Sequence, residues 1–222
     1  GNLVCVIQPE GVENIADYFG ADANGKGAFL QKWAFRYRYD GRKRMIIKQV
    51  PGADSLLMVY DNRDRLVLTQ DGNMRGDHKW LYTKYDGLNR PIMTGIYSHG
   101  AAIIQKDMAG LLSTTNFAET FDGIASTHGY SNNIFPNTNL DVLTVTYYDS
   151  YDFKPLLSDP NDDFDYKNNE LIAGDGLKGQ EELAFDRVKN LVTGTKTKVL
   201  DTQTWLWGVN YYDDNYRIIQ AT

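Results

Sequence analysis

Five Tyr-Asp pairs punctuate the chain, at Tyr39-Asp40, Tyr60-Asp61, Tyr85-Asp86, Tyr148-Asp149 and Tyr212-Asp213, and four of them are followed at one fixed distance by an arginine. Those four units end at Arg44, Arg65, Arg90 and Arg217, while the unit at Tyr148 carries Phe153 in the arginine position. A recurring motif of this kind marks a repeat, and a repeat constrains the fold ahead of any local propensity. The intervals between units are 21, 25, 63 and 64 residues. The two long ones leave room for degenerate units or for insertions on a common scaffold.

Each unit can be argued as a β-hairpin corner. Strand-forming runs lie on both sides, as in Met45-Ile46-Ile47, Leu66-Val67-Leu68 and Ile218-Ile219, and a short polar segment between two such runs makes a hairpin. The Asp suits the corner because its carboxylate can accept from backbone N–H two residues on, and Gly41, Asn62, Gly87 and Asp214 behind it are turn formers. The Arg, back on the second strand, is placed to reach the Asp or to stack on the Tyr ring, either of which would fix the register. An Asp–Arg pair that is partly buried predicts a loss of about 0.5–2 kcal/mol for Arg65→Ala. A motif used five times reads as structural rather than as five active centres.

The stretches Tyr60 to Asn73, Lys79 to Thr94 and Trp205 to Gln220 resemble the YD-repeat family, which includes bacterial Rhs proteins and animal teneurins. The resemblance extends over most of residues 33–222. It implies an antiparallel array of β-hairpins forming a curved sheet or part of a β-shell, in proteins that are secreted or at the cell surface. Flanking YD repeats of a parent chain are then the expected partners, with any targeting segment outside this sequence. The family pattern has Gly immediately before the Arg, where this chain has Lys43, Asp64, Asn89 and Tyr216. Asn and Asp accept a left-handed backbone at modest cost, whereas Lys and Tyr do not, so the corners at Lys43 and Tyr216 are expected to depart from the family geometry.

Along the chain, residues 1–28 read as an irregular lead-in with a short strand at Leu3 to Ile7 and a loop at Gly20 to Gly27. Residues 29–97 read as three YD-repeat hairpins. Residues 98–222 read as helix-containing insertions with two further YD hairpins, continuous with the preceding sheet. In the first hairpin Trp33, Phe35, Tyr37 and Tyr39 alternate with Ala34, Arg36, Arg38 and Asp40, the period of a strand with one aromatic face. Trp80 and Tyr82 fall on the face opposite Tyr85, so both faces of the sheet should be covered in part. One or two short helices are expected: one over 101–115, from the stripe Ile104, Met108, Leu111 and Thr115, and one over Gly179 to Leu191. The final strand, Arg217 to Thr222, reads as an edge that a further unit would cover. The fold class is therefore mainly β.

Composition excludes several classes. The net charge is −6, from 29 acidic and 23 basic residues, and phosphate neutralisation needs cations gathered on one face, so no nucleic-acid partner is expected. The densest basic run, Arg36, Arg38, Arg42, Lys43 and Arg44, reads as strand and turn charge. No run of about 20 apolar residues could span a bilayer. Cys5 is the single cysteine and can form no internal disulfide. Asp22-Ala-Asn24-Gly-Lys26-Gly27 imitates a calcium loop but puts Lys26 at a ligand position and Trp33 where the bidentate Glu belongs. Asp159, Asp162, Asp163 and Asp165 lack the ligand-Gly rhythm, and the three histidines lack zinc spacing, so neither metal nor cofactor is expected. The reading is a non-enzymatic structural or binding segment, with carbohydrate as the expected ligand class and Trp33, Trp80, Trp205 and Trp207 as the aromatics that could stack on sugar. The alternative is a glycoside hydrolase with paired carboxylates, for which no motif selects a pair.

Overall fold

The computed structural model describes residues 1–123, 126–157, 163–167 and 184–222. The fold is mainly antiparallel β, with eleven strands hydrogen-bonded in sequence order. They are β1 (Cys5–Ile7), β2 (Ala34–Tyr39), β3 (Met45–Gln49), β4 (Leu56–Tyr60), β5 (Leu66–Gln70), β6 (Lys79–Tyr85), β7 (Pro91–Ser98), β8 (Leu140–Tyr148), β9 (Val192–Lys198), β10 (Trp205–Tyr212) and β11 (Ile218–Ala221). By contacts the chain divides into two compact units, residues 1–83 with 96–117 and 135–140, and residues 84–95 with 118–134 and 141–222.

All five Tyr-Asp pairs sit where a strand ends. The pairs at Tyr39, Tyr60, Tyr85 and Tyr212 lead into tight corners, β2–β3, β4–β5, β6–β7 and β10–β11. At each corner the Asp N–H donates to the Arg carbonyl and the residue before the Arg donates back to the Asp carbonyl, both at 3.0–3.1 Å. That residue is left-handed in all four: Lys43 at φ 63°, Asp64 at 63°, Asn89 at 65° and Tyr216 at 62°. Register shifts at Arg38/Tyr39, Val59/Tyr60 and Tyr211/Tyr212 mark the bulge that accompanies a three-residue hairpin loop of this type. The expectation that Lys43 and Tyr216 would bend their corners differently is not met, because the hydrogen bonds around the Asp impose one geometry whatever side chain occupies the position.

The lead-in departs from expectation. β1 forms, but the lead-in read as irregular is largely helical: α1 (Pro9–Glu13), α2 (Ile15–Gly20) and α3 (Ala23–Trp33) follow β1, and α3 runs through most of the segment Gly20 to Gly27 read as a loop. Asp22 caps α3, its Oδ1 accepting from Gly25 N–H at 2.8 Å, and Phe29 is buried. The pair of glycines that suggested a loop is tolerated inside a helix that a cap and a buried aromatic hold. The hairpins accordingly start at Ala34 rather than Phe29, and Trp33 ends a helix instead of opening the aromatic face of β2. Phe35, Tyr37 and Tyr39 keep the expected alternation, half-buried against exposed Arg36 and Arg38.

Two further helices bring the number among the described residues to five, against the one or two expected: α4 (Gly72–Gly76), capped by Asp71, and α5 (Gln105–Gly110). The helix expected over 101–115 is thus one short piece. Met108 is buried and Gln105 Nε2 donates to the Met58 carbonyl at 2.8 Å, which docks α5 on β4, while Ile104 and Leu111 of the anticipated apolar stripe are exposed. Of the span Gly179 to Leu191, residues 179–183 lie outside the described residues and 184–191 are not helical. Most of the acidic segment 158–169 also lies outside them.

Consecutive burial of Leu57, Met58 and Val59 on β4, and of Val67 and Leu68 on β5, shows that both faces of these strands are covered. In the second unit the core is a column of aromatic rings, Tyr130 and Phe153 stacking on Tyr147 at 5.8 and 4.5 Å between centroids, with Trp207 at 6.1 Å. Phe153 is the residue that replaces arginine in the fourth unit. Its ring lies where a Cβ on Gly194 would come within 2.1 Å, so Gly194 is needed for the aromatic column. Among the described residues no helix is long and apolar enough to cross a membrane.

The shared left-handed position yields a test. Lys43→Gly and Tyr216→Gly remove a Cβ from a backbone that disfavours it and should each raise stability by about 0.5–1 kcal/mol, whereas Asn89→Gly should be near neutral. Midpoints of urea unfolding compare the three.

Candidate functional site: arginine clamps, a basic groove and a lysine between tryptophans

The repeated residues assemble into clamps. At the four tight corners the Asp Oδ1 accepts two backbone N–H groups, from Arg42 and Arg44, Arg63 and Arg65, Leu88 and Arg90, and Asn215 and Arg217, all at 2.9–3.0 Å. Oδ2 accepts from the Nε of the corner's own arginine at 2.6–2.7 Å. The expected Asp–Arg pairing is therefore present at every tight corner. The other expected contact, arginine on tyrosine, is made with the tyrosine of the following unit: Arg44 lies over Tyr60 at 5.1 Å and Arg90 over Tyr148 at 4.3 Å.

The rest of each guanidinium also reaches forward. Arg44 Nη1 donates to the Asp61 carbonyl at 2.7 Å and to Asp64 at 2.9 Å. Arg90 forks onto Asp149 through Nη1 at 2.8 Å and Nη2 at 2.6 Å, so the fourth unit, which lacks its own arginine, borrows one from the third. Arg65 Nη2 donates to the Phe117 carbonyl. Arg217 pairs with Asp213 and its side chain is 74% exposed. Hydrogen bonds and charge from the Arg90 guanidinium hold the Asp149 carboxyl below the usual range, and the bonds from Arg217 do the same for Asp213. For Asp40, burial pushes upward but the bonds from Arg44 and Arg42 outweigh it. The corner tyrosines act as struts: the hydroxyls of Tyr39, Tyr148 and Tyr212 donate to the carbonyls of Leu3, Pro91 and Val192 at 2.9, 3.0 and 2.6 Å.

The first unit also carries a groove of about 830 Å³ between β3, β4 and the α5 segment. Its floor is apolar, from Ile46, Ile47, Leu57 and Ile103, and its rim carries Arg38, Arg44, Arg75 and Lys106 against Asp40. Two of the four cations are engaged, Arg44 by the carboxylates above and Arg75 by the Ser55 carbonyl. Arg38 and Lys106 are exposed. Part of the basic run noted in the sequence thus lines a concavity, which sequence reading missed because Arg75 and Lys106 come from distant segments.

The four tryptophans do not form one platform. Trp80 is fully buried in the first unit and Trp33 closes α3 beneath Lys32, 4.4 Å from its ring. Trp205 and Trp207 lie half-buried on one face of β10, with Lys196 Nζ over both rings at 4.5 and 4.7 Å. Lys196 also lies 3.4 Å from His128 Nδ1. Burial, with the Lys196 charge beside it, pushes His128 down to about 4. Among the described residues no three His, Cys, Asp or Glu side chains gather as a metal site would require. The buried carboxylates there, Asp61, Asp86, Glu119 and Asp213, each face a cation rather than one another across a cleft. Compared with protein-family models and with curated proteins, the chain matches none.

Burial separates the arginines in a measurable way. The side chains of Arg65 and Asp61 are 9% and 6% exposed, so Arg65→Ala strands a buried carboxylate and should cost about 3–5 kcal/mol, more than the sequence alone suggested. Arg217→Ala removes an exposed partner and should leave the unfolding midpoint close to that of the parent chain. Chemical denaturation of the two variants makes the comparison. His128 gives a pH prediction. Its folded pKa of about 4 lies below the ordinary 6.5, so on acidification the unfolded chain takes up the proton first. The neutral histidine's contribution is complete above 6.5, falls as the pH drops towards 4, and levels off below that. His128→Gln should flatten the stability curve in that window.

Proposed function

We propose that this chain is a non-enzymatic structural and binding segment of a secreted or cell-surface protein of the YD-repeat, Rhs-like kind. The observation that carries the reading is the forward reach of the arginines: Arg44 and Arg90 each close their own corner and also hold the tyrosine and carboxylate of the next unit. Residues spent in this way lock neighbouring hairpins together and are not free for catalysis. In a repeat protein such nearest-neighbour contacts set the stability of the array. Arg217 closes the last corner in the same way, and its side chain is exposed.

The groove is the place where such a scaffold would hold a ligand. Two exposed cations over an apolar floor suit a carbohydrate that carries carboxylates, and Tyr60 lines the groove as an aromatic surface for a sugar ring. We assign it a uronic-acid oligosaccharide. Titration of the full chain with oligogalacturonate should show saturable, salt-sensitive binding that Arg38→Ser with Lys106→Ser weakens at least tenfold, with no new reducing ends. Release of reducing ends would replace the binding reading with the hydrolase. Absence of binding would remove the groove from the proposal.

A further inference from the structure

One of the buried charges of the second unit is a lysine on a strand. β6 sends Trp80, Tyr82 and Lys84 to its buried face, and the Lys84 side chain is 2% exposed. Its ammonium donates to three oxygens: Glu119 Oε1 at 2.6 Å, Asn132 Oδ1 at 2.6 Å and the Ile134 carbonyl at 2.8 Å. Glu119, 0% exposed, is fixed in turn by the Ser131 hydroxyl at 2.7 Å and by the N–H groups of Asn133 and Ile134 at 2.9 and 3.0 Å. An amine is thus held against both a carboxamide and a carboxyl group, on a strand and a loop that their own hydrogen bonds immobilise.

A pair of buried charges contributes little net stability, because desolvation offsets its attraction. The same burial favours moving the proton from Lys84 to Glu119, which removes both charges at once. Burial lowers the Lys84 pKa in the same direction. The free amine then sits against the carbonyl oxygen of Asn132, with the amide carbon one bond beyond. Fixed approach of this kind is worth effective concentrations of roughly 10⁵–10⁸ M, the range in which an unreactive amide can be attacked.

We propose that Lys84 and Asn132 become joined by an isopeptide bond, with Glu119 as the proton carrier. Glu119 takes one proton from the Lys84 ammonium, and a turn about Cε–Nζ brings the freed lone pair onto Asn132 Cγ. The Nζ–Cγ bond forms and a tetrahedral centre results. Glu119 passes the proton it holds to the amide nitrogen, the Cγ–Nδ2 bond breaks, and ammonia leaves. Glu119 then takes one further proton from Nζ, which keeps a single hydrogen, so one ammonium, one carboxylate and one carboxamide become one secondary amide, one carboxylic acid and one ammonia. Asn132 is exposed at the surface, which gives the ammonia an exit. The product ties β6 to the 118–134 loop without any cysteine.

The test is the intact mass of the full chain under denaturing conditions, followed by peptide sequencing. The expected result is a mass lower than that of the sequence by one ammonia, with a branched peptide joining the segments around Lys84 and Asn132. Asn132→Ala, folded by circular dichroism, should restore the mass expected from its sequence. Glu119→Gln should also remain unlinked. An unmodified mass for the wild-type chain after prolonged incubation in the folded state overturns the proposal. So does loss of ammonia found in a linear peptide, since that reports a succinimide at an asparagine.

Discussion

The fold depends on how a carboxylate is satisfied at a turn. At each tight corner one Asp accepts two backbone N–H groups on Oδ1 and an arginine on Oδ2. Charge-assisted bonds of this sort are about twice as strong as neutral ones, and here they act on the few residues whose dihedrals decide the hairpin. A left-handed lysine or tyrosine costs roughly 1–2 kcal/mol. Three bonds to one carboxylate outweigh that, which is why Lys43 and Tyr216 adopt the φ of Asn89 and Asp64. Repetition of the Asp and the Arg, rather than of the glycine, is what keeps the corners alike.

The fourth unit shows what the clamp requires. After Tyr148-Asp149 the chain leaves the sheet and returns only at β9, yet Tyr148 still pairs with Val192 and the register shifts at Tyr147/Tyr148 as it does in the tight corners. Asp149 keeps both kinds of partner. Its Oδ1 accepts from Asn190 N–H at 2.6 Å, and Arg90 supplies the guanidinium. The arginine position is therefore free, and Phe153 uses it to enter the aromatic column over Gly194. The corner tolerates an insertion because its carboxylate can be satisfied from the neighbouring unit.

What the sequence displayed was the local chemistry. Tyr-Asp with Arg at fixed spacing located the corners and their pairs, since all participants lie within six residues. It could not display the second half of each guanidinium, because Arg44 and Asp61 are 17 residues apart and Arg90 and Asp149 are 59 apart. The helices of the lead-in were hidden for a different reason. Gly25 and Gly27 have the composition of a loop, and only the Asp22 cap, legible in principle as Asp before a helical run, and the burial of Phe29 decide otherwise. Lys84 left one visible sign: it continues the alternation of Trp80 and Tyr82 on a strand, a place where a charge must find a partner. Glu119 and Asn132, far along the chain, gave none.

The same economy of charge explains why the groove differs from the clamps. Arg44 belongs to both: it lines the groove, but its hydrogen bonds go to Asp40, Asp61 and Asp64, so it can lend potential to a ligand but not a new bond. Arg38 alternates with Tyr37 and Tyr39 on β2 and shares the face of Asp40, yet it is exposed. The Asp40 carboxylate is taken by Arg42 and Arg44, which follow it in the corner, so a cation two residues before it is left out of the clamp. Position before or after the corner carboxylate divides the basic run of the sequence into arginines that hold the scaffold and arginines that remain available at its surface.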